Sequence, residues 1–198
     1  MQSAPRRRVL LAERQPEARQ DLRETVAQAG YETVAEAADG QTAVQLARSL
    51  RPDVVLLPPF LPAMSGLEAL RAISQARLAP VVMVGASGDA ALAARVAERG
   101  AAAYLARPFS DRGLLAAVEL AVYRFDLTRR LRGEMESLRE TAETERALHR
   151  AKTLVMDEYG LGEAEALERI QNLASRSHKR LREAAEAVVL AARTRLST

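Results

Sequence analysis

The sequence predicts a doubly wound α/β domain built on a five-stranded parallel sheet, followed by a long connecting helix and a small three-helix unit. Short β-rich runs alternate with helix-spaced stretches through the first 122 residues. From Leu120 onward glycine and proline punctuation stops, apart from Gly133, until the close pair Gly160 and Gly162. With 48% of its 198 residues apolar, the chain has material for one ordinary domain and a smaller second unit.

The runs Val9 to Ala12, Val34 to Ala37, Val54 to Leu57, Val81 to Gly85 and Ala102 to Leu105 read as strands. Between and after them, 17–29, 40–50, 66–76, 89–99 and 111–122 have helical spacing. Repeated βα units of this length imply a parallel sheet covered on both faces, with its functional crevice beyond the carboxyl ends of the strands. Gly160 and Gly162 end one helix and open the next, and a break near Ser175 to Ser177 divides the tail into three helices. Leu154, Val155, Leu161, Leu167, Ile170, Leu173, Leu181, Val188, Val189 and Leu190 are the expected core of that tail.

Composition removes several classes of function. There is no cysteine, hence no disulfide and no thiolate metal site, which suits a reducing cytoplasm. The longest apolar run, around Val54 to Met64, is short and broken by proline, and Arg6, Arg7 and Arg8 lead into a strand without the apolar core of a signal peptide. A cytoplasmic protein with no membrane segment is the expectation. His149 and His178 stand apart without companion ligands, so no metal site is expected. No nucleophile with a base, glycine-rich phosphate loop or carboxylate pair is evident, which argues against an enzyme and against a cofactor. The formal charge of +3 is modest, so a nucleic-acid role needs local clustering.

The stretch from Arg8 to about Val122, with Arg107, Pro108 and Phe109 after the last strand and Tyr104 within it, resembles the receiver domain of two-component response regulators. In that family Arg107 is Lys and Tyr104 is the switch aromatic. The resemblance implies a flavodoxin-like sheet and a cis bond between Arg107 and Pro108. It also exposes a loss of chemistry. Pro58 stands at the position of the phosphoacceptor aspartate, Gly85 at that of the phosphoryl-binding Ser or Thr, and Glu13 is followed by Arg14 where the family has an acidic pair for Mg2+. A shifted register would make Asp53 the acceptor, but Asp53 precedes the apolar run and belongs to the other end of the strand. Arg14 and Arg107 either join Glu13 in a fixed ion network or stand solvated at the rim. A receiver with Pro58 at its acceptor position is expected to work without phosphorylation.

Leu120, Leu127, Leu131, Leu138, Leu148 and Val155 follow three- and four-residue steps, interrupted on the same seam by Glu134, Thr141, Glu145 and Lys152. The reading is a connecting helix, with 123–137 as linker or coiled coil, that forms a homodimer through Leu120, Leu127, Leu131 and Leu138. A solvated monomeric linker is the alternative.

The run Arg146 to Met156, with Ala151 and Lys152, then Tyr159, Gly160, Leu161 and Glu163 to Leu167, resembles the ANTAR domain of AmiR and NasR type antitermination regulators over about 136–194. Thr153 stands where the family has Gly, Ile170 and Gln171 where it has Leu-Arg, and Ser175 where it has Met. The resemblance implies a domain from 138 to 194 that binds hairpins in nascent leader RNA, and control by a ligand-sensing protein partner. Arg146, Arg150 and Lys152 enter the expected RNA site from this resemblance.

Independently of it, the stretch from Arg169 to Arg182 holds five Lys or Arg and no acid. Arg169, Arg176, Lys179, Arg180 and Arg182, with Gln171, Asn172, Ser175 and His178 near them, suit contact with phosphates and unpaired bases. A basic helical face also serves solubility alone. Tyr123 and Tyr159 read as packing residues, since few aromatics accompany them. The function expected is phosphorylation-independent transcription antitermination. The alternative is a protein-interaction adaptor that no longer binds RNA, favoured by Gln171 in place of Arg.

Overall fold

The computed structural model describes residues 6–86 and 90–195. Strands β1 (Arg8–Ala12), β2 (Glu32–Ala37), β3 (Val54–Leu57), β4 (Val81–Ala86) and β5 (Ala103–Arg107) alternate with helices α1 (Pro16–Gln28), α2 (Gly40–Leu50), α3 (Gly66–Gln75) and α4 (Ala90–Glu98). All pairings are parallel, in the order β2-β1-β3-β4-β5. This is the doubly wound sheet that the alternation predicts. The sequence also suggests a basic N-terminal tail over 1–7; its residues 1–5, and residue 89 of the expected fourth helix, lie outside the described residues. Arg7, assigned to that tail, is instead tied to Glu119 at 2.7 Å.

β3 shows why the strands read as unbroken apolar runs. Its four residues are all buried, Val54 and Leu56 packing on α1 and the helix after β5, Val55 and Leu57 on α2 and α3. Successive side chains of a strand point to opposite faces, and both faces here are covered. Truncating Leu56 to alanine would cost about 2–5 kcal/mol.

The loop after β3 is fixed by α3. Ser65 caps that helix and Glu68 returns its carboxylate to the Ser65 amide at 2.9 Å. A side chain on Gly66 would run into the Pro58 carbonyl, so only glycine admits this approach. The Gly66 amide donates to Pro59 at 3.0 Å. The Arg107–Pro108 bond is cis, as expected.

The helical stretch after β5 and the expected connecting helix are one element: α5 runs unbroken from Asp111 to Tyr159. Gly133 lies inside it with open space where a side chain would stand, and one glycine costs a long helix only about 1 kcal/mol. The chain divides into two compact units, Met1–Arg129 and Arg130–Thr198.

The second unit comprises the C-terminal part of α5, α6 (Glu163–Ser177) and α7 (Leu181–Arg195). Gly160 takes a left-handed φ of 64° and its amide donates to Met156 at 2.9 Å, closing α5. The Gly162 amide then donates to Glu165 at 2.9 Å, opening α6. The second break falls after the serines. Ser177 donates its hydroxyl to the Leu173 carbonyl at 2.6 Å within the helix, and His178 takes the left-handed cap with φ 52°.

The core of this unit also departs from expectation. Ala151, Val155, Ala166, Ile170 and Ala185 form its buried centre, with Leu148, Leu161, Leu181, Val188 and Val189 packed around it. Leu173 and Leu190 are exposed, and Leu154 and Leu167 are half-buried outside the cluster. Alanines carry the centre because small side chains let helices approach closely.

Candidate functional site

At the carboxyl edge of the sheet, Pro58 follows β3 directly and is half-buried. Asp53 precedes β3 at the other end, where its carboxylate accepts the Arg8 amide at 2.8 Å and its own amide donates to the Arg8 carbonyl. It borders the start of β1, remote in register from the acceptor position.

Glu13, just after β1, has one carboxylate oxygen 3.4 Å from an Arg107 guanidinium nitrogen. Its other oxygen accepts the Gln15 amide at 3.2 Å, and its backbone carbonyl accepts from Arg19 at 2.7 Å. Arg14 is exposed and does not join this pair. Of the two arginines expected either to network or to stand free, Arg107 does the first and Arg14 the second.

The donor set does not fit Mg2+. A hard dication needs several oxygen ligands; among the described residues Glu13 brings a carboxylate with a guanidinium in front of it, and no group of three or more acids or histidines that could hold a metal ion is found. The acceptor carboxylate and second acid that would complete a cage are Pro58 and Arg14.

Gly85 at the end of β4 is buried against Tyr104 of β5, whose ring occupies the space a side chain on Gly85 would need. The Tyr104 hydroxyl donates to the Ala86 carbonyl at 2.8 Å. With no side chain at position 85, the Tyr104 ring packs into that space.

On α5, Leu120, Leu127, Leu131 and Leu138 are exposed, Leu131 at 51% and Leu138 at 72%. Tyr123 and Met135, at matching helical steps, extend the same exposed seam. Tyr123 is therefore no packing residue within one chain, contrary to expectation. Leu148 and Val155 leave the seam for the core of the second unit.

The basic residues of the second unit separate into groups that sequence order does not reveal. On the α5–α7 side, Arg182 forks between Glu143 at 2.6 Å and Glu186 at 2.8 Å, and Arg180 reaches Glu140 at 3.5 Å. Arg139 and then Arg182 hold the Glu143 carboxyl below its ordinary value. Arg146 and Arg150 lie one turn apart on α5, exposed, and line a cleft of 440 Å³ with Arg182, Val189 and Leu190. Neither has an ion-pair partner among the described residues.

Lys152 instead pairs with Glu163 across α5 and α6, and the hydrogen bond holds that carboxyl low. Arg169 and Arg176 of α6, with Asn172, line a separate 680 Å³ groove toward α7. Arg169 lies 4.1 Å over the Tyr159 ring, and Glu158, Glu165 and Glu168 share this groove. Tyr159 thus supports a cation at the surface, a role its lone position in the sequence did not suggest. Gln171, Lys179 and His178 are exposed.

A sheet with receiver topology and a charge-rich three-helix unit define a two-part regulator, and comparison with known proteins shows which. The family model for the response regulator receiver domain matches residues 9–119, and that for the ANTAR domain matches 136–189. The chain belongs to the response regulators that join a receiver domain to an ANTAR domain. It is similar to the transcriptional regulatory protein PdtaR of Mycobacterium tuberculosis, with 40% identity over 183 residues, covering 92% of this chain and 89% of that protein. Among solved structures, a LuxR-family response regulator from Aurantimonas is 30% identical with a TM-score of 0.56, covering 60% of this chain and 86% of the other. The receiver domain of NarL from Mycobacterium tuberculosis, at 24% identity and a TM-score of 0.57, shares the fold over 61% of this chain and 98% of its own. Among the described residues, no helix is long and apolar enough to cross a membrane.

Proposed function

We infer that the chain is a transcription antiterminator that binds hairpins in nascent leader RNA as a homodimer and acts without phosphorylation of its receiver. The reading is supported chiefly by Arg146 and Arg150. They keep their guanidinium groups unpaired on an exposed face while neighbouring Arg180 and Arg182 are held by carboxylates. Unpaired arginines one turn apart suit adjacent phosphates, which fix register on a nucleic acid without reading sequence. Lys179, at the α6–α7 turn, adds a further exposed cation. Gln171, Asn172, Arg169 and Arg176 on α6 are then available for loop bases.

Receiver and seam complete the reading. With Pro58 at the acceptor position and Arg107 on Glu13, control falls to a protein partner that senses a ligand and sequesters the regulator. The seam from Leu120 to Leu138 is the dimer contact.

Transcription of a leader template whose hairpins overlap a terminator tests this. Adding the full chain should raise read-through equally with and without acetyl phosphate. Unchanged termination would leave the adaptor reading, to which exposed Gln171 and the carboxylate-bound Lys152 lend their weight.

A further inference from the structure

At the same edge lies a groove of 670 Å³ whose lining takes in Gly85 and Arg107 together with a set of apolar side chains. Pro59 and Phe60 from the loop after β3, Pro108 and Phe109 from the turn after β5, and Leu22 and Val84 from α1 and β4 line it. It lies at the carboxyl edge of the strands, where open α/β sheets bind ligands. Its volume and apolar lining suit a small organic molecule.

Phe60 is 75% exposed, one of the barest large apolar side chains described. A ligand covering it would remove that ring from water. Phe109 lies beside Arg107, whose guanidinium carbon is 5.9 Å from the ring centre. Arg107 is the one cation of the lining and Asp21 the one anion. The single 3.4 Å contact with Glu13 engages only one of the five N–H groups of Arg107.

We propose that this groove binds a small aromatic carboxylate, its ring between Phe60 and Phe109 and its carboxylate on Arg107. Two phenylalanines and two prolines favour a flat ring over an aliphatic chain. A planar guanidinium donates two parallel hydrogen bonds to a carboxylate, which the ammonium of lysine cannot do. The proposal stands whether or not the second unit binds RNA.

The chain has no tryptophan, so the fluorescence of an indole probe reports binding without background. Indole-3-acetate and its neutral amide should be titrated into the full chain and into the Phe60→Ala and Arg107→Gln variants. The acid should bind roughly tenfold more tightly than the amide to the wild type, as a charge-assisted hydrogen bond requires. Arg107→Gln should abolish that difference while leaving the amide unaffected, and Phe60→Ala should weaken both probes. Equal binding of acid and amide, affinities unmoved by Phe60→Ala, or no binding of the acid up to about 10 mM would overturn the proposal.

Discussion

The Tyr104 ring occupies the space that any side chain on Gly85 would need, and its hydroxyl donates across the strand end to the Ala86 carbonyl at 2.8 Å. Two positions that the sequence marks separately, a missing Ser or Thr and a switch aromatic, are therefore one packing unit. Gly85→Thr should displace the ring and destabilise the receiver by about 1–3 kcal/mol, the usual cost of overpacking. In the Tyr104→Ala background the same substitution should cost little. A chemical-denaturation double-mutant cycle with no coupling would show that the two side chains do not compete.

Phosphorylation chemistry gives the second expectation. With Pro58 lacking a carboxylate and Glu13 paired with Arg107, acetyl phosphate, or beryllofluoride with Mg2+, should leave the intact mass and the melting temperature unchanged. A stable aspartyl phosphate in the receiver, detected by mass spectrometry, would contradict the account of this edge.

The exposed seam on α5 predicts assembly. Leu131→Glu with Leu138→Glu should convert a dimer to a monomer in light scattering, because both leucines are more than half exposed in the single chain. A dimer that survives both charges has its interface elsewhere.

Arg7, Tyr31 and Glu119 tie β1, the start of β2 and α5 together, Arg7 by two bonds of 2.8 and 2.7 Å to the Glu119 carboxylate and Tyr31 through its hydroxyl at 3.0 Å. The hydrogen bond from Arg7, more than that from Tyr31, holds the Glu119 carboxyl below its ordinary value of 4.5. A lowered carboxyl stabilises the fold above its ordinary value and loses that contribution as pH falls through the lowered one. Because the pair is partly solvated, Glu119→Gln should cost only about 0.5–1 kcal/mol at neutral pH. Its difference from the wild type should vanish in acid. A difference that persists once acid has protonated the carboxyl would assign the cost to packing.

The sheet was legible because each strand is a run such as Val54 to Leu57, buried on both faces, bounded by turn residues. Side-chain partners were not. Arg182 and Glu143 are far apart in sequence and meet only because α7 returns along α5. A related limit holds along α5: Leu148 and Val155 keep the leucine spacing of Leu120 to Leu138, yet they pack into the core of the second unit while those leucines are exposed. Periodicity reports which face of a helix is apolar, and it is silent on what covers that face. The same silence put Leu173 and Leu190 in a core whose centre is Ala151, Ala166 and Ala185.

RNA recognition through Arg146 and Arg150 is the claim on which the functional account rests. The direct measurement is the affinity of the full chain for a tandem leader hairpin across a salt series, for the wild type and the Arg146→Gln, Arg150→Gln double variant. If the two arginines contact phosphates, the variant should bind every hairpin more weakly, and its log–log salt slope should be shallower by about 1.4–2. A wild type that shows no preference for the hairpins over unstructured RNA at physiological salt, or a variant with an unaltered slope, would contradict it.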